Sequence, residues 1–252
     1  MTFLPFEGAA EIIAHRGYSG RAPENTLAAI RAALAAGAEA VEFDLHTTAD
    51  GVPVLLHDET LDRTTDRSGP VAAVELAALN GADAGSWFSE DFAGEPVPSL
   101  ADALALLAPE AVTIYPEVKR TGRPEELHRV VEAVRAAGVE DRTVYISMDW
   151  EALDEIRSVE PGARIGYVVE RPDRGDEALR RATGDPRALV DFDYRILLAL
   201  PGYAERAHAA EIPLAVWTVN TVRDAQAILD LGVPRLTTNE VEELLAWRDG
   251  LD

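Results

Sequence analysis

The chain is constrained most by a repeated alternation, in which short β-rich apolar runs are separated by alanine-rich patterns of helical period. "EIIAH" (11–15) precedes a helical pattern at 23–38, with Asn25 or Thr26 near its cap and Gly37 near its end. "AVEFDLH" (40–46) follows. The turn "TTADG" then returns the chain through "VPVLLHD" (52–58), too short a connection for a parallel crossover, so 40–57 reads as a hairpin. Residues 59–98, rich in Gly, Asp, Ser and Pro, read as an insertion over one mouth of the fold, with a short helical piece at 74–79. The rhythm resumes with strands predicted at 112–119, 143–147, 163–170, 188–193, 213–220 and 235–239, each reached through a helix. A last helix closes the chain.

Helices of this length between strands imply βαβ units and a parallel sheet. About eight such strands in 252 residues imply an α/β fold of the (β/α)8 TIM-barrel type, as a single domain with an insertion at about 59–98. An open doubly wound sheet is the alternative. It would carry a glycine-rich phosphate loop after its first strand, and "HRGYSGRAPENT" matches no such pattern.

A formal charge of −22 argues against nonspecific binding to nucleic acid or to an anionic membrane, both of which need a basic face. No cysteine is present, so thiolate metal sites and disulfides are excluded. The first residues lack a basic segment followed by a long apolar one, and no apolar run reaches membrane-spanning length, so a cytoplasmic location without stable membrane association is expected. The expected partner is a small molecule. The oligomeric state is not legible.

In a parallel barrel the reactive groups gather at the C-terminal strand ends. Here the first strand ends at His15 and Arg16, the second carries Glu42 and Asp44, the hairpin arm ends at His57 and Asp58, and the next strand carries Glu117 and Lys119. Residues two apart on a strand share a face, so Glu42 with Asp44, and Glu117 with Lys119, project into the mouth. Three crowded carboxylates call for a cation, and oxygen donors without thiolates select Mg²⁺, Ca²⁺ or Mn²⁺. Lys119 is the single lysine among 23 basic residues, which suggests a site that wants a compact ammonium. Bland readings stay open: the acids could pair internally with Arg16 and Arg63, Lys119 could pair with Glu117, and Trp217 could be barrel packing.

The fragments "IIAHRG", "PENT", "EFDLHTTADGVPVLLHD", "LDRTT", "PEVK" and "VWTVN" occur in an order that resembles the glycerophosphodiester phosphodiesterase family. The resemblance implies a barrel with a short insertion and metal-dependent hydrolysis of glycerophosphodiesters to sn-glycerol 3-phosphate and an alcohol. It implies His15 and His57 as the catalytic pair, and Glu42, Asp44 and Glu117 as ligands of one divalent cation, Mg²⁺ or Ca²⁺, with Mn²⁺ a third choice. It also implies Arg16 and Lys119 as phosphate contacts and Trp217 as a substrate wall. Met148, Asn239 and Pro116 depart from the family's usual residues and leave every implied ligand in place. Rival readings are a lipid phosphodiesterase, a phosphate-ester binding module, and a barrel isomerase or aldolase.

Overall fold

The structure, a computed structural model, describes residue 3 and residues 9–119 and 123–251. The described residues form nine strands: β1 (Glu11–Ala14), β2 (Ala40–Thr47), β3 (Pro53–Leu55), β4 (Thr113–Val118), β5 (Val144–Ser147), β6 (Arg164–Val169), β7 (Ala188–Asp193), β8 (Leu214–Trp217) and β9 (Arg235–Thr238). Eight pair in parallel in the order β1-β9-β8-β7-β6-β5-β4-β2, and the β1–β2 pairing closes them into a barrel. β3 is antiparallel to β2, with Leu45 opposite Leu55, as the hairpin reading expects.

The helices are α1 (Leu27–Ala36), α2 (Leu100–Leu107), α3 (Pro124–Ala137), α4 (Trp150–Val159), α5 (Gly175–Ala182), α6 (Tyr194–Ala199), α7 (Gly202–Ala209), α8 (Val222–Asp230) and α9 (Val241–Asp249). Local chemistry sets their ends. Thr26 caps α1 by accepting from the Ala29 amide, and Gly37 ends the helix in the left-handed conformation at φ 85°. Ser99 and Asp102 form a reciprocal capping box on α2. The stretch read as one helix before β8 is two, α6 and α7, because Pro201 cannot donate to a continuing helix.

Period-two alternation gives each strand two destinations. Ile12, Val41, Val190 and Phe192 pack outward in one core with helical residues such as Ile30, Leu104, Val131 and Ile228. Ile13, Ala40, Val144, Ile146, Val168 and Leu189 fill the barrel interior. Between β3 and α2 the chain makes three 3₁₀ turns, at Val71–Ala73, Leu76–Leu79 and Glu90–Phe92, in place of a regular helix at 74–79. These residues build a core of their own around Val54, Leu61, Val71 and Leu79. Among the described residues, no helix is long and apolar enough to cross a membrane.

Candidate active site

At the end of β1 the chain turns sharply. Arg16 and Gly17 both take left-handed conformations, φ 55° and 73°. A Cβ on Gly17 would lie 2.6 Å from the Ala29 backbone, so only glycine lets this loop close on α1. The turn aims the Arg16 amide at Glu42 Oε2, 2.8 Å away, and the Gly17 amide at the Glu42 carbonyl. Arg16 at left-handed φ costs about 1 kcal/mol, a cost offset by these contacts to β2.

Glu42, Asp44 and Glu117 meet at the barrel mouth. Register places Asp44 opposite Glu117 across β2 and β4, and one oxygen of each carboxylate lies within 4.8 Å of the others. Lys119 Nζ lies 2.6 Å from both Asp44 Oδ1 and Glu117 Oε1, and Arg16 Nε lies 3.2 Å from Asp44 Oδ2. Asn25, itself left-handed, donates to Asp44 Oδ2 at 2.8 Å and accepts from the Asp44 amide at 3.0 Å. Asp44 is thus fixed from every side.

The electrostatics are uneven. Burial would raise Asp44, but Lys119 and Arg16 outweigh it and hold this carboxyl well below the usual range. Glu42 is pushed well above its usual value by burial and then by its like-charged neighbours Asp44 and Glu117. Its Oε1 is buried without a partner. Burial also raises Glu117, against the pull of Lys119. Two cations against three carboxylates leave an excess of negative charge, and a hard divalent cation is the species that all-oxygen donors of this kind accept. The residues therefore fit a metal.

The histidines flank the cluster on separate supports. His15 Nδ1 meets Asn239 Oδ1 at 2.7 Å, an oxygen that also accepts from Ser19. His57 Nδ1 meets Asp58 Oδ1 at 2.7 Å. Amide and carboxylate oxygens accept, so each ring carries its proton on Nδ1 and keeps Nε2 for a ligand. Burial and adjacent Arg16 lower His15 to about 4. A chain of contacts leads from Asp58 to the residue after His15: Arg63 bonds both Asp58 and Glu24, and Glu24 accepts from Arg16 at 2.8 Å. His46 Nε2 meets the His57 carbonyl at 3.0 Å and fixes the hairpin's end.

Two cavities adjoin here, sharing His57, Glu117, Lys119 and Met148. The inner one, about 70 Å³, is lined by His15, Arg16, Glu42, Asp191 and Trp217 among others. The outer groove, about 710 Å³, has Glu59, Asp149, Glu151 and Glu170 on its walls. Arg174 also lines that groove, but its guanidinium is turned onto the Met148 carbonyl at 2.7 Å and the Trp150 ring at 3.7 Å.

Every residue singled out from sequence lies at this mouth: His15, Arg16, Glu42, His57, Glu117, Lys119 and Trp217 line the inner cavity, and Asp44 sits behind it. The internal pairing read as an alternative is also present, since Arg16 and Lys119 both contact Asp44. Arg63 contacts Glu24 and Asp58 instead. The sequence pattern places Asn25 near a helix cap and does not show that Asn25 and Glu24 hold Asp44 and Arg16. Asp191 was missed as well.

The profile of the glycerophosphoryl diester phosphodiesterase family matches residues 15–243. The chain belongs to this family. Membership makes it an enzyme of the phosphoric diester hydrolase class. It is 31% identical to the glycerophosphodiester phosphodiesterase of Caldanaerobacter subterraneus subsp. tengcongensis over 238 residues, 93% of this chain and 96% of that one. A crystal structure of glycerophosphodiester phosphodiesterase from Agrobacterium tumefaciens superposes with a TM-score of 0.81 at 29% identity, covering 94% of this chain and 99% of that one. An Oleispira antarctica phosphodiesterase, solved in complex with the product sn-glycerol-3-phosphate, superposes with a TM-score of 0.85 at 28% identity, over 95% and 96% of the two chains.

Proposed function

We propose that this family member hydrolyses glycerophosphodiesters to sn-glycerol 3-phosphate and an alcohol, with metal-dependent catalysis assisted by His15 and His57. The observation that carries the reading is the convergence of two histidines, each with Nε2 free, on one cavity walled by three clustered carboxylates. Glu42, Asp44 and Glu117 would hold Mg²⁺ or Ca²⁺, and the bound cation supplies charge neutralisation for the phosphoryl oxygens. Arg16 and Lys119 add positive charge on the same side and bind the non-bridging oxygens.

One imidazole Nε2 takes a proton from the attacking oxygen, that of a water or of a substrate hydroxyl whose cyclic phosphate a water then opens, as a new P–O bond forms and the bond to the departing alcohol breaks. The other imidazole, entering the step protonated on both nitrogens, gives its Nε2 proton to that alkoxide. Trp217 forms an aromatic wall beside the reacting centre. The carboxylates lining the outer groove suit a cationic alcohol such as choline or ethanolamine.

Release of glycerol 3-phosphate from glycerophosphocholine by purified protein with Mg²⁺ or Ca²⁺ tests the reading, beside His15→Ala and His57→Ala. Release is expected for the unaltered chain, with a loss of roughly 10²- to 10⁴-fold in each variant. No release with either metal would overturn the substrate. Undiminished release by either variant would overturn the pair.

A further inference from the structure

Asp191 is a buried acid that the catalytic scheme above leaves without a task. Along β7 the alternation is unambiguous: Leu189 joins the barrel interior, Val190 and Phe192 join the outer core, and Asp191 therefore faces inward. It is 4% exposed and lines the inner cavity with Ile146, Val168 and Trp217. Its Oδ1 is fully buried and makes no hydrogen bond to the protein. Its backbone is held, since the Trp217 indole donates to the Asp191 carbonyl at 3.3 Å.

A buried carboxyl oxygen without a partner is costly, because nothing in the protein replaces the water it has lost. Asp191 is not one of the clustered carboxylates, which among the described residues comprise Glu42, Asp44 and Glu117 alone, so metal ligation does not account for it. Burial, and then Glu117, push the Asp191 carboxyl well above its usual value. That direction favours the neutral acid, which both donates and accepts hydrogen bonds and so matches an alcohol better than a phosphate oxygen.

We propose that Asp191 is a specificity-determining residue that hydrogen-bonds a hydroxyl of the glycerol moiety in the inner cavity. This rests on the reading of the substrate as a glycerophosphodiester. The inner cavity takes the glycerol phosphate common to all such substrates, and the wider outer groove takes the variable alcohol. Discrimination for glycerol then resides at Asp191, away from the reacting atoms.

Asp191→Ala and the shape-conserving Asp191→Asn test this against three substrates: glycerophosphocholine, 2-hydroxyethyl phosphocholine, which lacks the terminal hydroxymethyl group, and 3-hydroxypropyl phosphocholine, which lacks the middle hydroxyl. The unaltered enzyme is expected to prefer glycerophosphocholine over at least one analogue by about 10- to 100-fold in kcat/KM. Asp191→Ala should remove that preference, chiefly through KM for glycerophosphocholine. Calorimetry supplies a second readout: Asp191→Ala should weaken sn-glycerol 3-phosphate binding about ten-fold or more, Asp191→Asn, whose amide also donates and accepts, should keep it within about three-fold, and both should leave inorganic phosphate binding unchanged. An unchanged preference and unchanged glycerol 3-phosphate binding in Asp191→Ala would overturn the assignment, as would equal losses for all three substrates and for phosphate. If the unaltered chain fails to cleave glycerophosphocholine at all, the substrate reading itself fails, which is a different result.

Discussion

Two places at which the barrel buries acidic side chains differ, and the contrast between them separates a structural pair from the proposed reactive site. At one, Glu11 on β1 pairs with Arg235 on β9 at 2.9 Å, Tyr115 donates to the same carboxylate oxygen at 3.4 Å, and the Phe3 ring lies 5.1 Å from the guanidinium. The three polar residues are 2%, 6% and 2% exposed, and none lines either active-site cavity. One anion meets one cation. At the mouth, three carboxylates face two cations, Glu42 Oε1 is left over, and a cavity leads in. Burial lifts both Glu11 and Glu42, but at Glu11 the neighbour Arg235 opposes the rise, whereas at Glu42 the neighbours Asp44 and Glu117 add to it. Unbalanced charge with access to solvent is what supports the proposed reactive site; balanced charge without access is packing.

Substitutions should break this contrast if it is wrong. The largest effect is expected for Asp44→Asn, which removes a central carboxylate and should lower kcat/KM by about 10³-fold or more with the fold retained. Arg235→Met should do the reverse, costing about 3–5 kcal/mol of stability by leaving Glu11 buried and unpaired, with activity per folded molecule within about three-fold. Comparable activity loss in both variants would erase the distinction. Denaturation of EDTA-treated protein should then show Mg²⁺ at 100 times its dissociation constant adding about 2.7 kcal/mol. Glu42→Gln should abolish that gain at the same Mg²⁺ concentration.

The smallest effects, in pH dependence, have opposite signs. Folded His15 stays neutral down to about pH 4, whereas an unfolded histidine takes its proton near 6.5. The unfolded chain binds more protons between those values, so this group's contribution falls as pH drops from about 6.5 to about 4. Glu11 keeps its proton up to about pH 7 when folded, against 4.5 for the ordinary group. Its contribution is therefore lost as pH rises from about 4.5 to about 7. The slopes oppose each other in the native chain, so each is read as variant minus wild type in the absence of metal. His15→Gln should remove a gain with pH of no more than about 2 kcal/mol, the part-exposed ring being screened by solvent. Glu11→Gln should remove the opposite slope. A pH profile unchanged in both variants would contradict these assignments.

The barrel was legible because its signals are local and repeated: β-rich runs, helical periods, and connections long enough for crossovers. The site was legible where two charged residues share a strand face, as with Glu42 and Asp44 or Glu117 and Lys119. The same rule applied to "ALVDFD" would have placed Asp191 and Asp193 together inside the barrel, so Asp191 carried a signal that went unused. Asn25 and Asn239 carried no such signal. Their roles depend on a left-handed turn and on contacts spanning 19 and 224 residues of sequence, which period and spacing do not encode. The break between α6 and α7 was readable from Pro201, and the 3₁₀ turns at 71–79 were not, because short polar-apolar mixtures suit several turn types equally.

Metal-dependent turnover at the barrel mouth is tested most directly by stripping the purified enzyme with EDTA, restoring Mg²⁺ or Ca²⁺, and following sn-glycerol 3-phosphate release from glycerophosphocholine. Release that disappears with EDTA and returns with either cation, but does not return in Asp44→Asn, is the predicted result. Release that persists in full after EDTA treatment, or returns equally in Asp44→Asn, would contradict the account.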